Sequence, residues 1–296
     1  MTTAGLERRA ERRAEPTLLA GLLADPATRV LAVAGGQAPA FDADASDGFR
    51  SGLVWRAPRA DDARHTVVYL GRAGGAERLA VLLPREAAGD DWRTLREIGA
   101  DLEPHDAEAF VAASALANWH RAHGFCPRCG SATVPDDAGW TRRCPADGSE
   151  HFPQTDPAVI MAVYDPDDRL LLARHPSWPE GRLSVLAGFV EPGESLAMAV
   201  AREVFEEVGV RVADVRLLGD QPWPFPNSLM LGCEAYAADP ALTIDPGEIA
   251  EAHWVTREEY RTQVDEQAWG VGTSISISRR LIRRWLDGEN PPGVLG

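Results

Sequence analysis

The chain has 296 residues, 45% of them hydrophobic and 25% charged, with a formal net charge of −15 at pH 7. That length can carry two domains with real cores, while the charge argues against broad capture of nucleic acid or anionic membrane, though a local basic groove is still allowed. No lysine occurs, so all 30 cationic side chains are arginine and lysine Schiff-base chemistry is excluded.

The N-terminal MTTAGLERRAERRAE is too charged for a secretory segment, and no apolar run approaches the roughly 18 residues of a membrane span, so a cytoplasmic protein with no membrane partner is expected. Residues 29–33, 52–56, 66–70 and 78–83 are partly β-branched runs between Gly, Pro and Asp clusters and read as strands. Asp106 to Ala122 reads as a helix with Phe110, Leu116 and Trp119 near one face. This block shows no catalytic constellation and is expected to act as a scaffold or to support dimerisation.

Cys126 and Cys129 form a Cys-x2-Cys knuckle, and Cys144 opens a second one that lacks its final cysteine. The candidates for a fourth zinc ligand are Asp147, placed first, and His151; alternatively the loop keeps its shape without metal. Such zinc would be structural, because four protein ligands leave no open position for water. Clustered thiols of this kind suit a reducing compartment better than disulfides do.

Residues 157–165 and 168–175 flank an Asp-Pro-Asp-Asp turn and predict a hairpin, and 183–191 predict a strand. Next comes GFVEPGESLAMAVAREVFEEVGV, Gly188 to Val210. Ser195 as N-cap and Gly209 as C′ residue delimit a helix of about thirteen residues, buried along Leu196, Val200 and Val204. Gly188 and Gly193 are expected to free the backbone of the loop before it. Glu203, Glu206 and Glu207 then share one side of its last two turns. Like charges at this spacing cost ~0.2–0.5 kcal/mol per pair, and a helix C-terminus favours cations, so the cluster predicts a bound cation. Oxygen donors suit a hard cation, and Arg202 is expected to position the glutamates rather than touch substrate.

Downstream stands Gln221-Pro-Trp-Pro-Phe-Pro-Asn-Ser228, stiffened by three prolines and barred from a central strand. It reads either as a rigid arm presenting Trp223 and Phe225, or as a surface loop laying two aromatics on a core. Residues 228–237 and 252–255 predict strands, and 276–286 a closing helix with Leu281, Ile282 and Trp285 inside and arginines outside.

The stretch from Gly188 to Val210 resembles the signature box of the Nudix hydrolases, with all nine constrained positions of the 23-residue frame filled. The QPWPFPNS array resembles that of the family's NADH pyrophosphatase branch, as do the cysteine ribbon and the N-terminal block. The resemblance implies an α/β fold: a Nudix α/β/α sandwich with a mixed sheet at 153–296, preceded by a zinc ribbon at 121–152 and an N-terminal α+β domain at 1–120. It implies hydrolysis of NADH, and less well NAD⁺, to the nicotinamide mononucleotide and AMP, with removal of NAD caps from RNA, by a homodimer. It further implies Mg²⁺ or Mn²⁺ held by Glu203, Glu206, Glu207 and Glu248, with Glu207 also polarising the attacking water and Glu248 also touching substrate. Gln221, Ser228, Met230 and Ser278 carry over as substrate contacts, and Phe189 and Phe152 as ring-stacking residues. Two positions depart from the branch: Asp220 replaces serine before Gln221, and Gln154 stands where arginine is common, which weakens a phosphate-reading role there. The alternatives are a broader hydrolase of ADP-ribose-type nucleoside diphosphates and a non-catalytic module that binds dinucleotides or nucleic acid.

Overall fold

Described here are residues 5–43, 48–266, 269 and 275–288 of a computed structural model. They fall into two compact units: one runs to Gln154 and takes in Pro224–Asn227, and the other holds Thr155–Trp223 and the residues from Ser228 onward.

In the first unit, aliphatic and β-branched runs build α1 (Leu18–Ala24), β1 (Arg29–Ala34), β2 (Gln37–Asp42), β3 (Ser51–Leu53), β4 (Thr66–Ala73), β5 (Ala76–Leu83), β6 (Trp92–Thr94), α2 (Leu95–Ile98) and α3 (Pro104–Ala122). The strands lie in the order β3-β2-β1-β5-β4 with β6 on β2, and β1–β5 is a parallel pair. Pro104 opens α3, where its missing N–H costs nothing. Phe110, Leu116 and Trp119 of α3 pack with Leu31, Val33, Val68 and Leu70 of the sheet. A small sheet follows: β7 (Val134–Asp136), β8 (Thr141–Arg143) and β9 (Glu150–His151).

His120 ties α3 to this small sheet. Its Nε2 lies 2.9 Å from the Gly139 carbonyl and its Nδ1 2.9 Å from Arg142 Nη1. A carbonyl only accepts and a guanidinium only donates, so the ring proton sits on Nε2. Burial lowers the His120 pKa to about 4, which keeps the ring neutral.

The second unit contains β10 (Asp156–Tyr164), β11 (Leu170–Arg174), β12 (Leu186–Phe189), α4 (Leu196–Val208), β13 (Val212–Trp223), β14 (Ser228–Ala237), β15 (Glu251–Val255), α5 (Arg257–Asp265) and α6 (Ile277–Leu286). Its sheet runs β13-β14-β10-β11-β15 with β12 on β10, and is mixed because β10 and β14 are parallel. Alternation along β10 makes the sandwich. Val159, Met161 and Val163 pack with Val200 and Val204 of α4, whereas Ile160, Ala162 and Tyr164 pack with Leu281, Ile282 and Trp285 of α6.

Beyond elements that the sequence did not announce, β2, β6 and α5 among them, three features differ from the sequence reading. β12 is shorter than the run from 183 to 191, since only Leu186–Phe189 pair with β10. β13 begins at Val212 and carries Pro222 on an edge strand, where a missing donor is tolerated. The turn Pro224–Asn227 belongs to the first unit. There Asn118 Nδ2 donates to the Pro224 and Pro226 carbonyls (3.0 and 2.9 Å), and the Arg96 guanidinium lies 3.9 Å from the Phe225 ring centre. Phe225 is therefore half-buried, packed against a core instead of standing free on a projecting arm.

Trp285 is fully buried, donates from Nε1 to the Asp168 carbonyl (3.1 Å) and meets Tyr260 edge-on at 6.2 Å. Trp285→Ala is expected to cost about 3–5 kcal/mol, read as a lower denaturant midpoint for the second unit.

Candidate active site and metal centre

The acidic helix is cut at both ends by its own sequence. The Ser195 hydroxyl accepts from Met198 N–H (3.3 Å), and Gly209 ends α4 in the left-handed region at φ 72°. The last carbonyls of α4 are met from outside the helix. Thr243 N–H donates to the Val208 carbonyl (2.8 Å) and Asp245 N–H to that of Glu207 (3.0 Å). These bonds fix the loop that carries Glu248 against the helix end.

One guanidinium organises the carboxylates. Arg202 binds Glu194 through Nε (2.7 Å) and Nη2 (2.9 Å), Glu206 through Nη1 (3.0 Å) and the Phe189 carbonyl through Nη2 (2.9 Å). Arg202 Nη1 is also ion-paired with Glu203 at 2.9 Å. Its hydrogen bonds, foremost, hold the Glu194 carboxyl down at about 2. Gly188 is needed for a different reason from the one expected. Its backbone is ordinary, but a Cβ there would lie 1.9 Å from the Glu203 carboxyl carbon, so the position is set by close approach. Gly193, at φ 98°, does supply left-handed backbone.

Glu207 has no such partner. It is buried, its Oε2 finds no hydrogen bond among the described residues, and burial followed by repulsion from Glu203, Glu248 and Glu206 pushes its carboxyl up to about 8. Burial likewise raises Glu203. An orphaned buried carboxylate oxygen among like charges fits a cation, and an all-oxygen donor set fits a hard divalent one.

A cavity of about 550 Å³ opens over this cluster and is lined by Phe189, Glu203, Glu207 and Glu248 among the expected residues. Glu206 reaches the cluster through Arg202. Gln221 accepts Ile277 N–H on Oε1 (2.7 Å) and donates to the Ile275 carbonyl, so it clamps the start of α6. Ser278 Oγ is 2.7 Å from Ser184 Oγ, Ser228 pairs with Trp223, and Met230 packs on the α6 side of the sheet. Exposed Phe152 lies in the first unit. The cavity is also lined by His175, Ser177 and Trp178, which the sequence reading missed. The available signal was an imidazole and an indole in a Pro- and Gly-bearing loop at a strand end.

In the ribbon, the ligand atoms of Cys126, Cys129, Cys144 and Asp147 lie within 4.8 Å of one another. Tetrahedral zinc with bonds of about 2.3 Å to sulfur has ligand–ligand edges of about 3.8 Å, which this spacing accommodates. The two knuckles repeat one geometry. Gly130 N–H closes onto the Cys126 carbonyl and Gly148 N–H onto that of Cys144, each at 2.9 Å, with glycine φ values of 74° and 73°. Asp147 thus occupies in the second knuckle the place of Cys129 in the first, while His151 lies outside the cluster with Nε2 3.1 Å from Ser149 Oγ.

Residues 154–272 match the NUDIX domain model, and residues 121–152 match the NADH pyrophosphatase zinc ribbon domain. The NAD-capped RNA hydrolase NudC of Mycobacterium bovis is 43% identical over 241 residues, spanning 76% of this chain and 77% of that protein. The human NAD-capped RNA hydrolase NUDT12 is 40% identical over 197 residues, spanning 62% of this chain and 43% of its own length.

Because its pKa is raised in the fold, Glu207 binds more protons folded than unfolded between the ordinary carboxylate range and about pH 8. Stability of the metal-free protein therefore falls as pH rises through that window. Thermal denaturation of metal-free protein is expected to show this fall from pH 5 to pH 8, and Glu207→Gln to flatten it.

Proposed function

The chain belongs to the Nudix hydrolase family, in its NADH pyrophosphatase branch, and on that premise we propose that it hydrolyses the pyrophosphate of NADH and NAD⁺ to the nicotinamide mononucleotide and AMP, and removes the same group from NAD-capped RNA. One observation carries this reading: Glu207 is a buried, unpartnered carboxylate in the cavity wall, beside Glu203 and Glu248. A binding module has no use for such a costly group, whereas a metal-dependent hydrolase does.

Glu203, Glu206, Glu207 and Glu248 would hold Mg²⁺ or Mn²⁺. Bound there, the ions would supply charge neutralisation at the diphosphate and acidify water beside it. Glu207 takes the proton of the attacking water. The water oxygen bonds to one phosphorus as the bridging P–O bond breaks, and the bridging oxygen leaves with the other nucleotide. Arg202, committed to three carboxylates, keeps their geometry. Exposed Phe189 and Phe152 supply ring-stacking surface, and Gln221, Ser228, Met230 and Ser278 support the substrate end. Zinc on Cys126, Cys129, Cys144 and Asp147 is structural, in a cytoplasmic homodimer divided at 1–120, 121–152 and 153–296.

Glu207→Gln is expected to lower kcat at least a hundredfold while NADH binding, followed by calorimetry, stays within a few fold of wild type. Steady-state assays should rank NADH above ADP-ribose and diadenosine diphosphate; NADH as the poorest of the three would refute the proposed specificity. Elemental analysis of purified protein should find one zinc per chain, and Cys129→Ser should lose it together with thermal stability.

A further inference from the structure

The residues lining the cavity come in two chemically unlike groups. One is the carboxylate cluster. The other belongs to the loop between β11 and β12, whose base is closed by paired backbone bonds between Ala173 and Ser184 (2.8 and 2.9 Å). Inside it, Trp178 N–H donates to the His175 carbonyl (2.9 Å), and Arg174 Nη1 donates to the Trp178 carbonyl (3.1 Å) while its Nε is ion-paired with Glu251. The Arg182 guanidinium lies 4.9 Å from the Trp178 ring centre. The loop is therefore built in advance of any ligand.

Its imidazole is oriented chemically as well. Ser177 N–H donates to His175 Nδ1 (3.1 Å), and the Ser177 hydroxyl lies 2.8 Å from the same atom. A backbone N–H can only donate, so Nδ1 carries the lone pair and the neutral ring holds its proton on Nε2. Among the described residues that Nε2–H meets no protein acceptor, and neither does Trp178 Nε1–H. Arg202, the cavity's cation, has every nitrogen engaged by Glu194, Glu203, Glu206 or the Phe189 carbonyl. The N–H donors left to the side chains lining the cavity are those of His175 and Trp178.

The diphosphate of a dinucleotide has four non-bridging oxygens, and those turned away from the cations are best met by hydrogen-bond donors. We propose that His175 is a substrate-binding residue whose Nε2–H donates to a non-bridging phosphate oxygen of the nucleoside diphosphate, with Trp178 Nε1–H as its companion donor. This deepens the diphosphatase reading and rests on it. His175 and Trp178 take the side of the diphosphate turned away from the glutamates, so the substrate bridges the two groups.

The test compares wild type, His175→Ala and His175→Gln at saturating Mn²⁺. Because a hydrogen bond to a charged group is at stake, His175→Ala should lower kcat/KM for NADH about ten- to a hundredfold and weaken AMP, measured by calorimetry, by a similar factor. His175→Gln, whose amide N–H reaches the position of Nε2, should recover at least tenfold of the kcat/KM loss. Melting temperatures should stay together, since His175 is exposed. His175→Ala with wild-type kcat/KM and AMP affinity, or His175→Gln no better than His175→Ala, would overturn the assignment, while NADH cleavage by wild type leaves the diphosphatase reading standing. Wild type that cleaves no NADH would sink that reading, and the AMP arm would still report on the subsite.

Discussion

Mutual repulsion among carboxylates is the constraint around which the second unit is arranged. Glu194, Glu203 and Glu206 share the single guanidinium of Arg202, and Glu207 is left with none. Apart from the Arg202 pairs, nothing local favours this arrangement: like charges sit at helical neighbour spacing, at the helix end whose dipole prefers cations. It survives because apolar packing holds the helix in place. Val200, Val204 and Val208 are fully buried against the sheet, and the backbone donors of Thr243 and Asp245 complete the helix end. Gly188 leaves the space that the Glu203 carboxyl fills. Backbone, core and loop thus cooperate to hold these carboxylates together against their mutual repulsion.

Much of this was legible from the letters alone. The signature box fixed the helix, its cap at Ser195 and its left-handed stop at Gly209, because those are local effects that short segments decide for themselves. The start of β13 was not legible. The run from Val212 to Gly219 contains Asp214 at φ 51° and two register shifts against β14, so its alternation is broken where a reader would look for it. α5 was missed because none of its residues is buried, which leaves no apolar stripe to find. The reason for Gly188 was also hidden, since the contact that requires it comes from a side chain fifteen positions later. Gln221 was expected at the substrate, and only the tertiary fold reveals its grip on the start of α6.

The ribbon and the cavity loop show the same divide between local and distant information. Asp147 could be ranked above His151 by its spacing from Cys144, and the matching glycines of the two knuckles explain why that ranking places it among the thiols. The His175–Trp178 group had no motif to announce it. Its function follows from a tautomer fixed by one backbone N–H and from the full commitment of Arg202 elsewhere.

The proline-stiffened turn has a consequence for anyone dissecting the chain. Pro224–Asn227 is encoded between two strands of the sheet in the second unit, yet the Pro224 and Pro226 carbonyls accept from Asn118 and the Phe225 ring packs against the first unit's core. A truncation beginning near residue 153 would amputate those partners and leave a greasy, under-bonded hairpin tip in water. The modules recognisable along the sequence are consequently poor guides to where a scalpel should fall, and expressing the two units together is the sounder way to study either one.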